Sequence, residues 1–340
     1  MMTNFFKGKH GPLLIAEIGG NHEGDFEYAK HLTQLAIDSD VDAVKFQVYT
    51  GDTLVSSVES PDRNKHFKKF ELSKEQHIEI AKMVTGAGLY YTSSVWDMAS
   101  IEWLDDYMQV YKIGSGDLTA YPVLKRISQL NKPMILSTGL ATEAEVVDAV
   151  KYIQANNPTY KNPNMLALLQ CTSMYPIACS DAHLSVMARY KKLTGLTVGY
   201  SDHTEGVKAL QYATGMGAEI LEFHFTDDRK GKSFRDHKVS LMPGEVKDLI
   251  HEIMLIHELK GNSEKKPTKI EIENGHLTSF RRAIYPLRDI DVGETLTEDN
   301  MGVLRPNSGI DARDYETVMG KRTNKSLKKH EKLKKTYLID

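Results

Sequence analysis

The sequence predicts a (β/α)8 barrel followed by a small β-rich domain, and three observations carry that prediction. Eight short, apolar, β-rich runs recur before Lys260. Longer stretches of helical period separate them. After Lys260 the rhythm stops and a polar, charged segment leads into short strand patterns with tight turns. Strands alternating with helices argue for parallel βαβ units. Strands that are apolar throughout argue for burial on both faces. Eight such units close a barrel more readily than they leave an open sheet.

The runs are LLIAEIGG from Leu13, DAVKFQVY from Asp42, LYYTSS from Leu89 and VYKIGSG from Val110, then PMILSTG from Pro133, LALLQCTS from Leu166, TVGYSDHT from Thr197 and ILEFHFT from Ile220. FEYAKHLTQLAIDS forms the first helical stretch. Ser73, with Gln76 three residues on, reads as the N-cap of the next. Thr142 opens ATEAEVVDAVKYIQANN, and GEVKDLIHEIMLIHEL follows the eighth run. No GxGxxG follows the first run, which disfavours a dinucleotide fold. The reading is therefore a barrel over residues 1–260, a linker over 261–278 and a β-rich domain with one brief helix over 279–340. That last piece is small enough to be marginal alone, so it is expected to lean on a partner surface.

Composition narrows the function classes. The chain has 340 residues, 41% hydrophobic and 26% charged, with a net charge of −3. That is ordinary globular usage. It supplies no overall basic field for nucleic acid or an anionic membrane. The lysine-rich stretch from Lys321 to Lys335 reads as a solvated face. No apolar run reaches the ~18 residues of a membrane span, and the N-terminus has no signal-peptide pattern, so a cytoplasmic location is expected. Cys171 and Cys179 are the only cysteines and define neither a disulfide framework nor a CxxC zinc site.

In a barrel, chemistry sits at the C-terminal ends of the strands. Those ends carry Glu17 with Asn21 and His22, Lys45 and Gln47, Ser93 and Ser94, Lys112 with Ser115 and Asp117, Ser137, Thr172 with Tyr175, Ser201 with His203, and His224. Two lysines among hydroxyls and glycine turns suit a ligand bearing phosphate and carboxylate. His203 and His224 lie on adjacent strands and can converge on one metal, with Glu17 and Asp236 as oxygen neighbours. Such a set without thiolate favours Mn²⁺, Mg²⁺ or Co²⁺. Ser201, Asp202 and His203 are not a triad, because Asp202 faces away from its two neighbours. Cys171 reads as a small packing residue.

The motifs IAEIGGNHEG from Ile15, KFQ from Lys45, YKIGSGD from Tyr111, STG from Ser137, CTSMYP from Cys171, VGYSDHTEG from Val198 and the block from His224 to His237 cover the whole barrel. Together they resemble the sialic acid synthases: N-acetylneuraminate synthase and its legionaminic and pseudaminic acid relatives. VGETLTEDN and the LRPNSGI stretch resemble the antifreeze-like SAF domain that ends those enzymes. The resemblance implies a transferase of the N-acetylneuraminate synthase type, which condenses phosphoenolpyruvate with N-acetylmannosamine or a related amino sugar. It implies metal ligation by His203 and His224, typically of Mn²⁺, and phosphoenolpyruvate binding by Lys45, Ser93, Lys112, Ser115, Ser137 and Ser201. Glu17 and Asp117 would be catalytic carboxylates, and Gln47, Tyr175 and Asp236 would lie near the sugar or metal. Arg305 would reach the sugar across a domain-swapped homodimer. The chain departs from the family pattern at Ser93, Asp117, Glu23, Phe223 and Asn307, and between Phe225 and Ser240. The residues around Phe223 and Lys230 are where the identity of the sugar is expected to be written. The competing readings are a phosphoenolpyruvate-dependent synthase of another deoxy-sugar acid, a non-catalytic sugar-binding protein and a metal-dependent isomerase.

Overall fold

The structure is a computed structural model, and it describes residues 4–340. It divides into two units, one ending at Gly261 and one running Asn262–Asp340.

The first unit is the barrel. A hairpin strand β1 (Lys7–Gly8) turns antiparallel into β2 (Gly11–Glu17). Parallel strands follow at β3 (Ala43–Val48), β4 (Tyr90–Val95), β5 (Tyr111–Ile113), β6 (Met134–Ser137), β7 (Leu166–Cys171), β8 (Thr197–Asp202) and β9 (Ile220–His224). Strand β9 pairs back onto β2, which closes the ring of eight. All eight apolar runs are strands. They are buried on both faces because helices cover the outside while side chains fill the inside.

The helices begin where their caps require. Asp25 accepts from the Tyr28 amide at the start of Phe26–Asp38. Ser73 and Gln76 form a reciprocal capping box at the start of Lys74–Gly86, and Thr142 and Glu145 do the same for Glu143–Asn156. Each satisfies amides that the first helical turn leaves unpaired.

Strand register decides which side chains enter the lumen. Ile15 pairs with Glu222, Glu17 with both Lys45 and His224, Gln47 with Ser94, Ser94 with Lys112, and Cys171 with Ser201. Paired residues in a parallel sheet share a face. At the N-terminal ends of the strands Leu13, Ile15, Ala43, Val110, Ile135, Ala167, Leu169 and Ile220 form an apolar cluster with Phe6. Asp42 stitches the hairpin to the barrel by accepting from the Leu14 and Lys9 amides, both at 2.8 Å. Gly8 makes this approach possible, since a Cβ there would lie 2.2 Å from an Asp42 carboxylate oxygen.

The second unit holds β10 (Ala283–Pro286) paired antiparallel with β11 (Met301–Leu304), a small pair at Arg322–Thr323 and Leu338–Ile339, and a brief helix at Tyr315–Val318. Its core is Ile284, Ile290, Leu296, Met301, Ile310, Val318, Leu327 and Leu333. The segment read as a linker contains two short helical pieces, Lys269–Glu273 and His276–Ser279, the first opened by a Thr268–Glu271 capping box. Among the described residues no helix is long and apolar enough to cross a membrane.

Candidate active site

The C-terminal mouth of the barrel is a buried network of opposite charges. Lys45 donates to one Glu17 oxygen at 2.5 Å, and Gln47 donates to the other at 2.8 Å. Lys112 donates to Ser137 Oγ at 2.7 Å and lies 3.3 Å from Glu222 Oε1. Ser201 donates to the same Glu222 oxygen at 3.1 Å, while Glu222 Oε2 is buried with no partner. All four charged groups are at most 6% exposed. Burial pushes the Glu17 carboxyl up against the opposing pull of Lys45. Burial likewise presses the Lys112 ammonium down, with Glu222 holding the charge in place. Ions this deep persist because each has an opposite partner, as an unpaired buried charge is costly.

Hydroxyls surround the lysines. Ser115 Oγ accepts from the Gly139 amide at 3.0 Å. A Cβ at Gly139 would lie 2.4 Å from Ser173 Oγ and 2.9 Å from Ser115 Oγ, so this turn closes tightly over the hydroxyls. Asp117 sits by Trp96, and burial raises its pKa to about 6. A cavity of about 500 Å³ opens beside this wall, between the ends of β6 and β7 and the helix Val186–Thr194, and shares Cys171 and Ser173 with it.

On the opposite side His203 and His224 stand with ring centroids 5.3 Å apart. Tyr175 lies against both, at 4.0 Å and 5.5 Å. His203 Nδ1 donates to the Thr172 carbonyl at 2.6 Å, which leaves Nε2 with a free lone pair. His224 Nδ1 is buried without a hydrogen-bond partner and lies 3.8 Å from Asp236 Oδ2. Burial holds both imidazoles below their usual pKa, His224 strongly so, and the neutral ring is the form that binds metals. Among the described residues no cluster of three or more metal-ligating side chains forms, so these histidines stand as a pair.

The structure thus gathers Glu17, Lys45, Gln47, Lys112, Ser115, Asp117, Ser137, Tyr175, Ser201, His203, His224 and Asp236 at one end of the barrel. Ser93 does not join them. It pairs with Phe46 on the outer face of the sheet and donates to the Phe46 carbonyl at 3.0 Å. Ser94 is the lumen residue, for one strand position reverses the side chain. Arg305 belongs to the second unit, where its guanidinium lies 5.4 Å from the Phe280 ring centroid. Phe223 also faces outward, paired with Ala16 and packed in the outer core, so it cannot read a sugar in the lumen. One lumen residue, Glu222, escaped the sequence reading, and another, Cys171, was read as packing alone. Glu222 was findable, two places before His224 and therefore on its face. Cys171 faces the lumen beside Ser201, although burial keeps its thiol protonated.

Comparison with known proteins identifies the family. The NeuB family profile matches residues 32–265, and the SAF domain profile matches 281–336. An N,N'-diacetyllegionaminic acid synthase of Campylobacter jejuni is 35% identical over 332 residues, covering 94% of this chain and 98% of that protein. An N-acetylneuraminate-9-phosphate synthase of Mus musculus is 30% identical, with 93% and 89% covered. The crystal structure of an N-acetylneuraminic acid synthetase from Leptospira borgpetersenii, in complex with citrate, superposes with a TM-score of 0.71 at 28% identity, covering 78% of this chain and 90% of that one. The chain belongs to the NeuB family and ends in a SAF domain.

Proposed function

We propose that this chain condenses phosphoenolpyruvate with the open-chain aldehyde of an N-acetylated amino sugar, giving a nonulosonic acid and phosphate. The observation that carries the reading is the pair of buried lysine–carboxylate couples, Lys45–Glu17 and Lys112–Glu222, set among hydroxyls at the mouth of the barrel. Such cations and O–H donors suit a small ligand with a phosphate and a carboxylate. The names of the relatives support the same product class.

In this reading Lys45, Lys112, Ser115, Ser137 and Ser201 hold phosphoenolpyruvate, with Ser94 taking the place expected of Ser93. Their positions are fixed before the ligand arrives, which is the source of electrostatic stabilisation. The unpartnered nitrogen of His224 and the free nitrogen of His203 fit a divalent cation, Mn²⁺ in preference to Mg²⁺ or Co²⁺, with Asp236 beside them. Such a cation supplies Lewis-acid polarisation of the aldehyde oxygen. Gln47, Tyr175 and Asp236 orient the sugar, and Arg305 contributes from the partner in a domain-swapped homodimer. A bond forms between C3 of phosphoenolpyruvate and the aldehyde carbon. Water adds at C2, and C–O cleavage releases phosphate. Glu17, a carboxylate whose basicity burial raises and which Gln47 fixes, takes the proton released as that water adds. Asp117, at about 6, is the second acid–base group. The setting of this reaction is the cytoplasm.

The test is incubation with phosphoenolpyruvate, Mn²⁺ and a panel containing N-acetylmannosamine, its 6-phosphate and a 2,4-diacetamido sugar, following phosphate and 2-keto acid. Both products are expected from at least one sugar, and none from any would overturn the assignment. His224→Ala is expected to cost roughly a hundredfold or more in metal-dependent rate, since even residues behind a ligand cost that much. An unchanged metal dependence would remove His224 from the metal site.

A further inference from the structure

The mouth of the barrel carries cations that the proposed reaction leaves unused. Arg235 follows Phe234 in the stretch between β9 and the helix Pro243–Lys260. Its guanidinium stacks 4.7 Å from the Tyr175 ring centroid, and Tyr175 is the residue packed on His203 and His224. Arg235 spends only Nε on the protein, toward Asp236 Oδ1 at 3.2 Å, so among the described residues its two terminal NH2 groups donate to nothing. The side chain is 64% exposed.

Phe234 carries this wall outward. Its ring lies 5.0 Å from Phe70 and 6.0 Å from His66. Gly20 allows the approach, as a Cβ there would stand 3.0 Å from the Phe234 ring. His66 lies on the helix Pro61–Phe70, and Arg63 and Lys69 flank it at three-residue spacing on the same face. Neither Arg63 nor Lys69 has an ion-pair partner among the described residues. They lie over aromatic rings, Arg63 at 5.6 Å from Phe67 and Lys69 at 5.9 Å from Phe70. Burial lowers the pKa of His66, and the charges of Arg235, Lys69 and Arg63 lower it further. Of the neighbouring carboxylates, Asp52 is engaged by Lys68 and Glu71 by the Gly51 amide.

We propose that Arg235, backed by Lys69 and Arg63, is an anion subsite that reads an acidic group on the end of the sugar away from its aldehyde, and that the substrate is therefore a phosphorylated N-acetylhexosamine. The proposal rests on the condensation reading, which places the aldehyde at the two histidines. From there the wall runs through Tyr175 to Arg235, so a sugar held at the histidines presents its far end to the guanidinium. A planar fork with free NH2 groups suits a phosphate monoester. In this proposal the mark of sugar identity lies at Arg235, within the departing stretch between Phe225 and Ser240.

The test uses the full chain with phosphoenolpyruvate, Mn²⁺ and three sugars, N-acetylmannosamine, its 6-phosphate and a 2,4-diacetamido sugar. The phosphorylated sugar is expected to have a kcat/KM at least tenfold higher, with the preference shrinking as salt is raised. Arg235→Gln is expected to lose about tenfold to a hundredfold on the phosphorylated sugar, the range of a lost charged hydrogen bond, and to collapse the ratio between that sugar and N-acetylmannosamine. Lys69→Gln should reduce the ratio less, and Lys230→Gln, in the same loop but outside the patch, should preserve it. Preference for N-acetylmannosamine overturns the subsite, and so does an Arg235→Gln variant that loses equally on N-acetylmannosamine and its phosphate or instead raises KM for phosphoenolpyruvate. Equal turnover of those two sugars, or turnover of the 2,4-diacetamido sugar alone, defeats only the subsite, whereas phosphate release from none of the three defeats the condensation reading itself.

Discussion

The same eight strands build two different interiors. At their N-terminal ends the lumen is hydrocarbon: Leu13, Ile15, Val110, Ile135, Leu169 and Ile220, closed below by Phe6. Two strand positions higher it becomes Glu17, Lys45, Lys112, Ser137, Ser201 and Glu222. The lower layer packs without specific partners, so it tolerates exchange of similar volumes. The upper layer survives burial only through one-to-one pairing, so it tolerates almost none. The lower half holds the ring closed, and the upper half holds charges poised for a ligand.

The largest test of that contrast is Lys112→Met. It leaves Glu222 as a buried carboxylate with a hydrogen bond from Ser201 and the more distant charge of Lys45, since among the described residues Lys112 is its ion-pair contact. A loss of about 3–5 kcal/mol in unfolding free energy is expected, together with loss of phosphate release. Removing both charges, as Lys112→Met with Glu222→Met, should recover most of the stability and none of the activity. A single variant as stable as the parent would show that the couple is not obligatory.

Leu169→Ala probes the other half. Leu169 is fully buried in the apolar layer. Its truncation should cost about 2–5 kcal/mol. The kcat of the folded fraction should stay close to that of the parent. A large fall in kcat at a temperature where the variant is folded would mean that the two halves are coupled.

Acid should reach the molecule behind the lumen first. His22 and His77 are buried around Phe46, and burial lowers them to about 4 and about 3. Between those values and the ordinary histidine range near 6.5 the unfolded chain takes up protons that the folded chain refuses. Their contribution is fully present above about pH 6.5 and drains away as pH falls toward 4, on the order of 3 kcal/mol for His22 alone. Chemical denaturation followed from pH 7 to pH 4 should show that decline, and His22→Gln should make it shallower, the remainder coming from the other buried histidines. A flat profile in the parent would contradict neutral burial.

Much of this was legible in the sequence because both periods are strong. Strands of three to seven residues and helices with capping boxes announce themselves locally, and eight alternations leave little choice of fold. What stayed hidden depends on phase or on loops. Phe223 reads as a departure beside a ligand, yet strand alternation turns it into the outer core. Glu222 is masked as one polar letter in an apolar strand, although its distance from His224 gives it away. Arg235 opens a single 3-10 turn in the long connection after β9, where no periodicity fixes direction and its place is set by packing, of Phe234 on Phe70 and of the guanidinium on Tyr175. The helical pieces in the supposed linker arise from a capping box amid charge, a local signal that composition overwhelms.

The smallest expected effect concerns that question of phase. Ser93 and Ser94 are adjacent, chemically identical and both buried, and a motif match cannot choose between them. The register does. Ser93 shares the face of Phe46 and spends its hydroxyl on the Phe46 and Ser94 carbonyls, whereas Ser94 shares the face of Gln47 and Lys112. Ser93→Ala should therefore lower stability by about 1 kcal/mol, the net worth of an ordinary hydrogen bond, with KM and kcat unmoved. Ser94→Ala should leave stability nearly intact and raise KM for phosphoenolpyruvate by roughly fivefold, the same energy spent on the ligand instead of the fold. If the kinetic effect fell on Ser93, the inward and outward faces of β4 would have to be exchanged. Lys112, paired to β4 through Ser94, could not then face the lumen, and the charge network at the barrel mouth would lose its geometry.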